Sequence, residues 1–101
     1  MIRMKNKISH FDVAEYLDDE EMITLYLNEA LDQATQDNNY NLVIEAIADI
    51  VKARGISKVA LDAGIGRESL YKSLSPDAKP RYETISKLIH ALGLKITVAP
   101  I

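Results

Sequence analysis

The residues best equipped for chemistry lie between Ile56 and Leu74, and the chemistry they suit is hydrogen bonding rather than catalysis. Arg67, Glu68, Ser69, Tyr71 and Lys72 fall on the outer face of a short helix expected over Arg67–Leu74. Arg67, at the helix start, can donate two hydrogen bonds to a guanine edge, and Glu68, Ser69, Tyr71 or Lys72 can reach neighbouring bases. Ser57, Lys58 and Ser73, with Lys72 and with Lys79 and Arg81 in the next loop, can neutralise or hydrogen-bond phosphates. A catalytic set cannot be assembled. His10 and His90 stand alone, there is no cysteine, and no HExxH spacing occurs, so neither a metal nor a cofactor is expected. Gly64-Ile65-Gly66 is followed by no phosphate-loop pattern, and no serine sits in a nucleophile elbow.

A reading face needs a scaffold that holds it out. Ile56–Leu74 has the spacing of a helix-turn-helix. Ser57 is the expected N-cap of a first short helix, Lys58–Ala63. Ala60 stands where two crossed helices approach most closely, and Gly64 can take the positive φ of a tight turn. Val59, Ile65 and Leu70, with Ala63 and Leu74, supply the apolar lock. Two plainer readings stay open at this point. The segment can be a helical hairpin with Ala60 and Gly64 serving packing alone, and Arg67 and Lys72 can be a solvated face.

The rest of the chain reads as helical, with no internal repeat. Asp12–Leu17 is expected as a short turn. Asp18 with Glu21 forms a capping box opening a helix to about Thr35, with Ile23, Leu27, Ala30, Leu31 and Ala34 on one face. A further helix, from about Tyr40 to Arg54, buries Val43, Ile44, Ile47, Ile50 and Val51. Ser75-Pro76-Asp77 and Lys79-Pro80 mark a loop before a last helix, Tyr82–Leu92, capped by Gly93. Leu94–Val98 alternates apolar and polar residues, the period of a half-buried strand. A lone strand needs a partner, so Leu94, Ile96 and Val98 are expected to pair across a two-fold axis with a second copy, or else to lie on the helices as a tail. The expected architecture is all-α: an acidic helical extension over 1–39, a DNA-binding domain over 40–93, and a short dimerisation β-strand in 94–101.

The 101 residues suffice for one small domain, and 48% apolar against 27% charged composition excludes wholesale disorder. No apolar run approaches a membrane span, the Met1–Ile8 start lacks a signal-peptide core, and the absence of cysteine fits a reducing cytoplasm. A net charge of −3 argues against nucleic acid until it is divided. Residues 1–54 carry five basic and eleven acidic side chains, or −6; residues 55–101 carry seven basic and four acidic, or +3. The positive half holds the helix-turn-helix.

Val59-Ala60, Gly64-Ile65 and Leu70 resemble the helix-turn-helix of the Xre, or lambda-repressor-like, group. Asp12-Val-Ala-Glu-Tyr-Leu-Asp18, Tyr26-Leu-Asn-Glu-Ala-Leu31, Ala63-Gly-Ile-Gly-Arg-Glu-Ser-Leu-Tyr-Lys-Ser-Leu-Ser-Pro76 and Ala91-Leu-Gly-Leu94 extend the likeness to the probable addiction-module antidotes, a HigA-like class of antitoxins. The resemblance implies a cytoplasmic homodimer that binds a basic RelE-like toxin and represses its own operon at double-stranded operator DNA. The rival reading is a free-standing phage-type repressor with no toxin. Gly66 departs from the Ser or Thr that many such proteins carry at the start of the recognition helix, so a phosphate contact there would have to use backbone N–H groups. On the resemblance, Asp18, Asp19, Glu20, Glu21, Glu29 and Asp32 are candidates to meet the toxin. The run Asp18–Glu21 equally suits a helix N-terminus by itself.

Overall fold

The computed structural model describes residues 19–101. The turn expected at Asp12–Leu17 and the cap expected of Asp18 lie outside these residues, as does His10. Five helices follow in order: α1 (Glu20–Asp37), α2 (Asn41–Arg54), α3 (Ile56–Ala63), α4 (Arg67–Ser73) and α5 (Tyr82–Ala91). They fall into two compact units that divide between Arg54 and Gly55, where the charge also changes sign.

In the first unit α1 packs on α2. The expected capping box of Asp18 with Glu21 is corrected by one residue: Asp19 opens α1 as its N-cap, its carboxylate accepting the Met22 N–H at 2.8 Å, with Glu20 and Glu21 in the first turn where carboxylates suit the positive end of the helix. Ile23, Leu27 and Ala34 are buried at four- and seven-residue steps, facing Ala46, Ile47, Ile50 and Val51 of α2. Leu31, expected on the same face, is instead 46% exposed, because the helical period carries it past Leu27, about 40° beyond the stripe of Ile23, Ala34 and Leu27. Asn38 ends α1 in the left-handed conformation at φ 53°. Its own N–H and that of Asn39 both reach the Ala34 carbonyl, closing the helix with the bonds of a Schellman-type cap.

In the second unit α3 packs on both α4 and α5. Val59, Ala60, Leu70, Leu88, Ile89 and Leu92 are buried, and Leu70 and Leu88 have no exposed surface. Two local expectations are corrected here. Ser57 is not the cap of α3: the helix starts at Ile56, and Gly55, at φ 104°, takes the cap position without any side-chain bond. Ser57 lies inside the first turn and faces solvent. The expected strand is absent, since Leu94–Val98 has no regular structure. Leu94 is used to close α5: with Gly93 at φ 86°, Gly93 N–H donates to the His90 carbonyl and Leu94 N–H to that of Ile89, the two bonds of a Schellman cap. Beyond Leu94 the side chains of Ile96, Val98 and Ile101 are left exposed.

Candidate nucleic-acid interface

The outer face of α4 depends on how α3 ends. Gly64, at φ 69° and ψ 33°, holds the left-handed conformation that most side chains resist. In that conformation Gly64 N–H donates to the Leu61 carbonyl at 3.2 Å and Ile65 N–H donates to that of Ala60 at 2.9 Å. Two of the four carbonyls that the end of α3 leaves without a partner, those of Ala60 and Leu61, are thereby satisfied, and the chain turns sharply enough to start α4 at Arg67. Gly66 precedes α4 in an extended conformation, and its carbonyl accepts the Leu70 N–H at 2.9 Å.

Leu70 is the anchor. It is wholly buried, with Leu74 half-buried one turn later, and this fixes which side of α4 faces out. By the helical period Glu68 and Lys72 project most directly away from Leu70, while Arg67 with Tyr71 and Ser69 flank them on either side. All five are exposed. Of the residues assigned to packing, Val59, Ala60 and Leu70 are buried and Ile65 half-buried, while Gly64 stands at the surface with open space where a Cβ would go. Its requirement is therefore conformational, not steric.

The residues expected to meet phosphates are less uniform. Ser57, Lys58, Lys79 and Arg81 are exposed, and Ser73 is half-buried. Lys58 already pairs with Asp62 one turn on, Nζ to Oδ2 at 3.1 Å, with both side chains well exposed. Such pairs contribute about 0.3–0.5 kcal/mol, so a phosphate can displace Asp62 readily. After α4, Ser75 Oγ donates to the Lys72 carbonyl at 3.0 Å and Ala78 N–H donates to the Ser75 carbonyl at 3.0 Å, forming a turn around Pro76 and Asp77 that leads to Lys79 and Arg81.

Two side-chain arrangements escape the sequence reading. Arg67 lies over the Tyr71 ring, its guanidinium carbon 5.8 Å from the ring centroid. In the first unit, Tyr26 Oη donates to the carboxylate of Asp49, joining α1 to α2. Burial first, then the hydrogen bond to Asp49, and then the negative charges of Asp49 and Glu45 hold the Tyr26 hydroxyl well above the usual tyrosine range. The four-residue spacing of Arg67 and Tyr71 is a signal visible in the sequence; the Tyr26–Asp49 bond spans two helices and is not.

The acidic candidates of the first unit divide by task. Asp19 is committed to capping α1, and Thr24 Oγ1 donates to the Glu20 carbonyl at 2.7 Å. Glu20, Glu21, Glu29 and Asp32 are exposed along α1. His90 is exposed on α5, and no group of three or more His, Cys, Asp or Glu side chains able to hold a metal occurs among the described residues. No helix among those residues is long and apolar enough to cross a membrane.

Comparison with known proteins adds to this geometry. The chain is 46% identical over 95 residues to an uncharacterised protein of Haemophilus influenzae, with 94% of each chain covered. No solved structure matches it. A family described as "Probable addiction module antidote protein" matches residues 7–100, which take in both units from before α1 to the exposed tail. On that near-complete match, the chain belongs to the family of probable addiction module antidote proteins.

Proposed function

We propose that this protein is the antitoxin of a toxin–antitoxin module, that it binds a basic RelE-like toxin, and that as a cytoplasmic homodimer it represses its own operon through α3 and α4. The family match supports the antidote role. The observation that carries the DNA-binding part is the single outward face of α4, where Arg67, Glu68, Ser69, Tyr71 and Lys72 stand exposed behind a helix end fixed by Gly64 and anchored by Leu70. A helix so placed enters a major groove and presents Arg67 to guanine and Lys72 to bases or phosphate. The charge division suits two partners: the unit of residues 55–101 carries +3 and can approach DNA, and the unit of residues 1–54 carries −6 and can attract a basic toxin through Glu20, Glu21, Glu29 and Asp32. A dimer presents α4 twice, on half-sites about one helical turn apart.

The test is titration of the protein's own upstream DNA at several salt concentrations. Arg67→Ala is expected to lower specific affinity by about 10-fold or more, the loss of one bidentate base contact. Lys72→Ala is expected to weaken binding and, where Lys72 meets phosphate, to reduce the salt slope by about 1. Wild-type affinity in both variants refutes the assignment of α4. Failure to co-elute with the protein encoded next door refutes the antitoxin role and leaves a free-standing repressor.

A further inference from the structure

The contact between Arg67 and Tyr71 assigns a task to the tyrosine. Both side chains are exposed, Tyr71 at 50%, so nothing in the core forces them together. They come together because four residues of helix bring both to one flank of α4, and because a guanidinium is planar, weakly hydrated and attracted to an aromatic face. A guanidinium that meets a ring with its face keeps its N–H donors free at the edge. Those donors are the groups that grip guanine O6 and N7. An Arg at the first residue of a helix otherwise moves among many rotamers and must give up that freedom on binding. Biased toward the ring, it has less of that freedom left to give up.

Resting on the proposed DNA-binding role of α4, we infer that Tyr71 is a specificity-determining positioning residue, which holds Arg67 ready for a guanine and itself meets the C5-methyl of an adjacent thymine. The second part follows from what remains of the ring. With Arg67 over it, Tyr71 is still 50% exposed, and the apolar group that a major groove offers to an aromatic side chain is the thymine methyl. The site read by this flank of α4 is then a guanine next to a thymine, not a guanine alone.

The experiment is selection of bound duplexes from a random pool by the full chain, followed by titration of the selected duplex. Three changes are compared: Tyr71→Phe, Tyr71→Leu and Arg67→Ala. Tyr71→Phe keeps the ring and is expected to bind as wild type does. Tyr71→Leu is expected to bind about 3- to 10-fold more weakly and to lose most of its preference for guanine at that position. Thermal unfolding, expected to be unchanged for these exposed positions, separates this loss from misfolding. In the Arg67→Ala background the Tyr71→Leu change is expected to have little further effect on guanine preference, the signature of two residues acting as one. Replacing the adjacent thymine by deoxyuracil is expected to weaken wild type by about 2- to 5-fold and Tyr71→Leu, which keeps apolar surface but loses the ring, by less. If wild type selects a guanine and Tyr71→Leu selects it equally well, the inference is overturned while the DNA-binding role stands. If wild type enriches no sequence and shows no salt-dependent affinity, both fall.

Discussion

Gly64 and Gly66 are two residues apart, and their substitution is expected to have opposite effects. At Gly64 an added Cβ meets nothing within 4 Å, so an alanine is resisted only by the left-handed backbone at φ 69°. An L-residue in that region is disfavoured by about 1–2 kcal/mol. Leaving the region breaks the Gly64 to Leu61 and Ile65 to Ala60 bonds, together about 1–3 kcal/mol, so the strained conformation is kept. Reduced freedom of the unfolded chain returns about 0.4–1 kcal/mol. Gly64→Ala is therefore expected to destabilise by about 1 kcal/mol, Gly64→Asn by about half of that because asparagine tolerates the left-handed region, and Gly64→Val by about 2 kcal/mol or more. At Gly66 the backbone is ordinary, at φ −63°, and an added Cβ would lie 3.9 Å from Ser69 Oγ, a normal contact. Gly66→Ser supplies a hydroxyl to the open N–H groups of α4 and is expected to stabilise by about 0.5–1 kcal/mol. Urea unfolding followed by circular dichroism reads each value, at roughly 0.5–1 M of midpoint per kcal/mol. The ordering of asparagine and alanine is decisive. If Gly64→Asn is worse than Gly64→Ala, size rather than backbone conformation governs the turn, and the reasoning is refuted.

Two further predictions concern the first unit. Asp19→Ala removes the acceptor of the Met22 N–H and is expected to lower stability by about 1 kcal/mol, read as a shift in the same urea midpoint; no shift shows that the cap is supplied elsewhere. Tyr26→Phe removes the bond to Asp49 and is expected to destabilise by about 1.5 kcal/mol at neutral pH. The Tyr26 hydroxyl is held above its unfolded value of about 10, so the unfolded chain gives up that proton first. Stability from this bond is thus complete below about pH 10 and falls as pH rises beyond it, and Tyr26→Phe should show a shallower alkaline decline than wild type.

The helices were legible because their apolar residues repeat at three- and four-residue steps, and Ile23, Leu27, Ile47, Ile50, Leu70 and Leu88 are all buried as that period requires. Ends were harder. Ser57 looked like a cap because serine accepts hydrogen bonds well, yet Gly55 reaches a positive φ that lets α3 begin earlier. The alternation of Leu94–Val98 misled because period alone cannot supply a pairing partner, and the Schellman bond of Leu94 belongs to the preceding helix. The outward residues of α4 could be named once Leu70 was placed inward. The Arg67–Tyr71 contact was implicit in a four-residue spacing, but a spacing does not say which of several neighbours a side chain chooses.

The pairing of each helix with its neighbours in the chain has a consequence for the order of assembly. Helix α1 packs on α2, and α3 on α4, across loops of a few residues, and only the packing of α3 on α5 must wait for the intervening α4 and its following loop. Such local topologies assemble in microseconds to milliseconds. Synthesis at about 5–20 residues per second is far slower. During translation the contacts between α1 and α2 can therefore be complete seconds before α5 exists to support α3, and the acidic surface is displayed on the nascent chain before the basic one.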